Sequence, residues 1–377
     1  MEQPIKILSL VSYKFLPAKM GGQKGIALFN RYLSKLVPLV CVSVQTNSDT
    51  QKEPYPIHKM LGGSKLRYVN PFYFFKLRRF IKANSITHLI LEHPYYGWLG
   101  LLLKWSCRIK LAVHSHNIES LRFKSMGKWW WGILWNYEKW ICRNAGLVFF
   151  IQDDDKEYAI RKFGLDAGKC ATITYGIETG SPPPAIEKEA ARKTIALQYG
   201  ISEEEKILLF NGTLDYQPNL DALEHILEKI NPALLATQGF QYKIIICGKS
   251  LPGKYGELKS YADSNIIYAG FVDDIVLYYK AADIFINPVN DGGGIKTKLV
   301  EALAYDLNVV STASGAIGIP AGVTGKKMKI VADDDMAAFA KAITATKQTT
   351  PIPPAFFDYF YWANICKKAA DLLQSLK

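Results

Sequence analysis

The chain has 377 residues, 49% of them apolar, enough for roughly two domains with buried cores. No run of 18 or more apolar residues occurs, and the first fifteen lack a signal peptide's apolar region and cleavage site, so a cytoplasmic protein without a transmembrane helix is expected. The net charge of +12 is unevenly spread: residues 1–152 carry 22 Lys and Arg against 6 Asp and Glu, and the remainder carries 24 against 28. The basic excess of the first half points to an anionic partner: membrane lipid, a phosphorylated substrate or nucleic acid. The six cysteines include no C-x-x-C pair, which argues for reduced thiols rather than a disulfide frame or a zinc site.

In chain order, "IKILSLV" (5–11) reads as a buried strand. The segment 21–36 follows a glycine turn with helical spacing of Ile26, Phe29, Leu33 and Leu36. Strands are predicted at "LVCVSVQ", "THLILEH", "KLAVHSHN" and "GLVFFIQ". The prolines of "ETGSPPPAIEKE" mark a linker. The plan then repeats with "KILLFNGT", "YKIIICGK", "NIIYAGF", "ADIFINPV" and "NVVSTA", and the tail reads as an amphipathic helix. Continuous apolar strands separated by helices predict α/β architecture with parallel sheets covered on both faces. Ligands of such sheets bind at the carboxyl ends of strands, so a cleft between two such domains is the expected site.

The stretch "NDGGGIKTKLVEALAYDLNVVST" (290–312) places three glycines beside Asp291, with Lys296, Lys298 and Glu301 following. Glycine allows close backbone approach, helix-start N–H groups favour anions, lysines suit phosphate, and a carboxylate can accept from ribose hydroxyls. The P-loop pattern is absent. A nucleotide-diphosphate cradle and a glycine turn capping a core helix both fit this stretch taken alone. The run "QDDDKE" (152–157) follows a strand and opens a helix, where Asp caps free N–H groups. No metal site is read from it.

The ordered set of segments resembles the retaining glycosyltransferases of family four, which have the GT-B fold. "GGGIKTKLVEALAYDLNVVSTASGAIGI" resembles their donor-site motif, "LLFNGTLDYQPNLDAL" the first strand and turn of the donor domain, and "IIYAGFVDDIVLYYKAADIFINP" the base-binding strand. "MGGQKGIALFNRYL" resembles the glycine loop after the first strand, "VHSHNIES" the acceptor-domain histidine loop, and "YFYWANI" the final helix that crosses back. The resemblance implies two Rossmann-like domains facing across a cleft: 1–180 with the returning helix 355–377 for the acceptor, and 181–354 for the donor.

It also implies sugar transfer, with retention, from a UDP- or GDP-linked donor without a metal or other cofactor. Glu301 would bind ribose, and Phe271 and Val272 the base. Gly21, Gly22, Gly212, Gly292, Gly293, Gly294 and Ile295 would approach the donor. His116, or His114 in an alternative alignment, would lie at the transferred sugar. Two departures stand out. Gly293 occupies the position of the family's second glutamate, where Asp291 is a substitute, and "NGTLDYQPN" lacks the family's Arg and Lys. Lys296 and Lys298 are assigned to the diphosphate instead; as alternating residues at a helix start, only one is expected to reach it.

The basic, aromatic segments 70–84 and 124–140 suit a membrane interface, the latter with Trp129, Trp130, Trp131, Trp135 and Trp140 among lysines. The same spacing suits core-packed helices with solvated rims. A glycan, lipid-linked or anionic acceptor and a peripheral position at the inner face of the plasma membrane are expected. No nucleic-acid recognition module is visible. The rival readings are a non-catalytic GT-B binding or scaffold protein and a sugar-nucleotide epimerase of the same fold.

Overall fold

The computed structural model describes residues 4–18, 20–291, 293–347 and 351–376. The chain forms two compact units, Met1–Glu178 with Phe360–Lys377, and Thr179–Tyr359. Residues 355–359, expected in the first domain, therefore count with the second.

The first unit holds a parallel seven-stranded sheet. Its strands are β1 (Ile7–Val11), β2 (Leu39–Val44), β3 (Ile57–Leu61), β4 (His88–Glu92), β5 (Lys110–Ser115), β6 (Leu147–Phe150) and β7 (Cys170–Thr172). The spatial order is β3-β2-β1-β4-β5-β6-β7, so connections leave in opposite directions from β1 and β4. β1, β2 and β4 are buried along their whole length, as expected of strands covered on both faces. Helix α1 (Gly21–Leu33) buries Ile26, Phe29 and Leu33 on one stripe and ends three residues short of the expected 36.

Helices α2 (Phe72–Ala83), α3 (Gly97–Cys107), α4 (Glu119–Ser125) and α5 (Trp131–Asn144) follow. α3 packs beside both α2 and α5. Leu77, Ile81, Leu99, Leu103 and Ile141 from this layer share one core with Leu8, Leu89 and Val113 of the sheet. At Gly100 a Cβ would lie 2.8 Å from Leu91 Cδ1, so glycine there lets α3 settle against β4.

The second unit repeats the plan with β8 (Lys206–Asn211), β9 (Tyr242–Cys247), β10 (Ile266–Gly270), β11 (Ile284–Asn287), β12 (Asn308–Thr312) and β13 (Met328–Val331). The order is β10-β9-β8-β11-β12-β13, all parallel, and the switch lies between β8 and β11. The sequence reading missed β3, β7 and β13. All three are edge strands with half-exposed residues, so they lack the continuous apolar run that betrays a central strand.

The tail is two helices, Pro354–Phe360 and Trp362–Ser375, rather than one. Ile177 donates its N–H to Phe360 O at 2.7 Å, and Trp362 donates to Ile177 O at 3.0 Å. Tyr361 is extended at this bridge, which breaks the helix. Trp362–Ser375 then lies against α1.

Candidate functional site

In the second unit the donor-motif residues gather where β8 ends. Lys296 is the N-cap of the helix Thr297–Ala304, and its ammonium donates to Gly294 O at 3.2 Å. Lys298, in the first turn, points elsewhere. Its ammonium donates to Asn211 O at 3.1 Å and to Asn219 Oδ1 at 3.0 Å, and lies 4.6 Å from the centre of the Phe210 ring. The loop that lacks its own cation thus receives one from a distant helix. Burial, with Lys296 as a second cause, pushes the Lys298 ammonium down to about 7.

The same strand end connects to Glu301. Asn211 Nδ2 donates to the Tyr279 hydroxyl at 2.8 Å, and that hydroxyl donates to Glu301 Oε2 at 3.3 Å. The Tyr305 ring stacks on Tyr279 at 5.6 Å and 9°. Hydrogen bonds thus join Lys298, Asn211, Tyr279 and Glu301 into one network. Gly212 follows directly, and a Cβ there would lie 2.7 Å from Asn219 Nδ2, so the turn needs glycine to keep Asn219 under Lys298.

Asp291 and Gly293 are exposed, Gly294 has φ 76°, and Ile295 is half-buried; Gly292 lies outside the described residues. Phe271 and Val272 follow Gly270 at the end of β10, with the Phe271 ring 70% exposed.

In the first unit the ends of β1, β4 and β5 bring a second cluster together. Glu92 pairs in register with His114 across β4 and β5. Its fully buried carboxylate is 2.8 Å from His116 Nε2, a hydrogen bond. His114 Nδ1 approaches the same oxygen to 3.1 Å without hydrogen-bond alignment. Burial opposes ionisation of Glu92, but the pull of His114 and then of His116 holds the carboxyl well below its usual range. Burial, followed by His93 and His114, pushes His116 down to about 3 despite Glu92.

His93 stacks on His116 at 4.3 Å and 22°. Its Nδ1 is 3.3 Å from Glu119 Oε1, and its Nε2 is 3.1 Å from the Tyr13 hydroxyl. Tyr95 and Arg122 both donate to Glu119 Oε2. His93 has φ 69° and ψ 155°, a strained backbone conformation for a non-glycine residue. Among the described residues, Glu92, His114 and His116 are the group whose donor atoms all come within 4.8 Å of one another.

Two expectations need correction. His114 is 1% exposed, wedged between Glu92 and Phe29, and supports the site without facing it. Gly21 and Gly22 form no loop; they are the first two residues of α1. The aspartates 153–155 open the helix Asp153–Tyr158, with Asp153 taken by Lys156 and Thr172.

The sequence reading missed Glu92, His93, Glu119, Asn219 and Tyr279. Glu92 did carry a signal: it is a lone acid at the end of the apolar run "HLILE". Asn219 and Tyr279 sit on helices whose pattern reads only as packing.

The outer face of the first unit's helical layer is apolar and basic. Leu66, Val69, Phe72 and Phe75 recur every third residue and are 67–75% exposed. Leu102 and Trp105 on α3, Ile133 and Trp140 on α5, and Trp129 just before it are exposed as well. Trp130, Trp131 and Trp135 are half-buried, and Trp135 donates to the Tyr158 hydroxyl. Residues 54–91 contain seven Lys and Arg and no acid.

Two doubly wound parallel domains, with a cation and a carboxylate at the end of the second domain's central strand, define a GT-B glycosyltransferase. Residues 21–181 match the family described as Glycosyltransferase Family 4, and residues 205–348 match Glycosyl transferases group 1. The chain belongs to the family 4 glycosyltransferases.

The chain is similar to a glycosyltransferase from Rickettsia africae at 17% identity, covering 100% of this chain and 99% of that one, with a TM-score of 0.71. Anabaena HepE, solved in complex with UDP, matches at 16% identity over 99% and 100% of the two chains, with a TM-score of 0.72. An uncharacterized 44.6 kDa protein in the cps region of Klebsiella pneumoniae is 28% identical over 159 residues. That match spans 41% of this chain and only 40% of the relative's length.

Proposed function

We propose that the protein transfers a sugar, with retention, from a UDP- or GDP-linked donor held by the second domain to a lipid-linked or anionic acceptor met by the first. The observation that carries this reading is the Lys298 ammonium, held at Asn211 O and Asn219 Oδ1 beside the Gly212 turn. Breaking the sugar–phosphate bond builds negative charge on the leaving diphosphate, and a pre-placed ammonium with nearby N–H groups lowers that barrier. Protein groups rather than a metal ion supply the charge. Glu301, braced by Tyr279, takes the ribose hydroxyls, and the Phe271–Val272 backbone meets the base. His116 lies at the transferred sugar. With no carboxylate pair assigned to flank the bond, the leaving phosphate assists loss of the acceptor proton on the same face.

Supporting the choice of nucleotide, HepE has also been solved with UDP and glucose and with UDP-glucose. Supporting a role in cell-surface glycan synthesis, a lipopolysaccharide outer core galactosyltransferase shares the fold at a TM-score of 0.66.

The exposed outer face of α2, α3 and α5 is the docking surface for the inner, anionic leaflet of the plasma membrane. Aromatic side chains settle at the headgroup boundary, and each nearby basic residue adds about 1 kcal/mol. No helix among the described residues is long and apolar enough to cross a membrane.

Melting temperatures recorded with a panel of nucleoside diphosphates test the donor reading. At a hundred-fold excess over Kd the correct one stabilises by about 2.7 kcal/mol. A panel in which neither UDP nor GDP raises the melting temperature refutes it.

A further inference from the structure

We propose that Glu92 is a positioning residue that holds His116 as the Nε2–H tautomer, so that the ring turns a lone pair on Nδ1 toward a substrate hydroxyl. This rests on the reading that His116 lies at the transferred sugar. The sequence resemblance points to the histidine and says nothing of the acid beneath it.

With Glu92 ionised, the geometry leaves one arrangement. Glu92 is wholly buried, and its Oε2 lies 2.8 Å from His116 Nε2. An ionised carboxylate can only accept, so His116 Nε2 carries the hydrogen. The neighbouring imidazoles favour that ionised form. A neutral imidazole with a proton on Nε2 has its lone pair on Nδ1, and among the described residues no partner occupies that nitrogen.

Burial and the imidazoles of His93 and His114 oppose a second proton on the ring, and outweigh Glu92, which favours one. His93 from the end of β4 stacks on one face, and His114 from β5 lies 4.5 Å away at a tilt. Tyr13 and Tyr95 surround His93, and Glu119 with Arg122 completes the next layer. Two buried carboxylates within this shell disfavour an anionic ligand group. A subsite that offers a lone pair and no N–H selects a hydroxyl over a carboxylate or phosphate. The predicted ligand group is therefore a hydroxyl of a neutral sugar, while anionic parts of the acceptor are left to the basic surface elsewhere on the domain.

Long-range 1H–15N spectra of the full-length protein labelled at histidine test this directly, without a substrate. The expected His116 signature is a protonated Nε2 and an unprotonated Nδ1. Glu92→Gln keeps the shape but offers an amide that can donate, so the tautomer should shift to Nδ1–H or become mixed. The same variant should lower donor hydrolysis kcat by about ten-fold or more, with nucleoside diphosphate affinity within about two-fold of the parent.

A parent protein with His116 as Nδ1–H overturns the proposal even if the variant does not fold. A folded Glu92→Gln protein with unchanged tautomer and turnover does so too. A chelator-sensitive spectrum with no proton on Nε2 would assign the cluster to a metal ion and overturn it as well. Loss of the general reading looks different: His116→Ala would then leave hydrolysis intact while the parent keeps the Nε2–H signature.

Discussion

The Lys298 ammonium lies 3.1 Å from the carbonyl oxygen of Asn211, although the two residues are 87 positions apart. Lys296, two residues earlier, turns back to Gly294 O. The two lysines should therefore be unequal. Lys298→Ala should lower kcat by about a hundred-fold or more, as removal of a transition-state donor does, and Lys296→Ala should lower it far less. Equal losses in steady-state kinetics would reassign the phosphate contact.

Proton linkage gives an independent check. Lys298 has its folded pKa lowered to about 7, so it is charged below that pH and increasingly neutral above it. A bound diphosphate favours the charged form and raises the pKa again. Donor binding at pH 8 should take up a proton, and affinity should fall as pH rises from 7 to 9. Calorimetry in two buffers of different ionisation enthalpy measures this; identical heats would show that Lys298 does not titrate on binding. For the apo protein the sign is also fixed. A lysine with a lowered folded pKa binds fewer protons than the unfolded chain between 7 and 10.5, so its contribution makes stability rise with pH across that window.

Glu301→Ala should weaken nucleoside diphosphate binding by about 1.5–3 kcal/mol, the cost of losing a hydrogen bond to a charged group. Tyr279 donates to this carboxylate, so Tyr279→Phe should weaken binding less, by loosening Glu301 rather than removing it. Undiminished affinity in Glu301→Ala would remove the ribose assignment.

The two histidines of "HSHN" should separate by phenotype. His116→Ala should reduce turnover with donor affinity retained. His114→Ala should mainly destabilise the fold, by about 1–3 kcal/mol, because buried Glu92 loses a partner. Urea unfolding and kinetics on both variants decide this, and the reverse pattern would move the substrate contact to His114.

The exposed ridge on α2 and the turn before it should bind anionic vesicles at low salt. Phe72→Asp with Phe75→Asp should release the protein while leaving nucleotide binding intact, since both rings are exposed and support no core. Co-sedimentation across a salt series measures it. Binding that survives the double substitution would place the membrane contact elsewhere.

By itself the sequence determined the repeated strand–helix plan, the central strands and the resemblance to family four. Central strands buried on both faces must be apolar throughout, and a glycine–lysine–glutamate run keeps its chemistry in consecutive residues. The edge strands β3, β7 and β13 left no such mark, because one side of each meets solvent. The break at Tyr361 was equally hidden, since it depends on backbone bonds to Ile177. Only the tertiary structure decided which lysine serves the loop after β8, and that Glu92 lies under His114 and His116. Those contacts join residues from different strands and helices, and parallel register, not spacing along the chain, sets their distances.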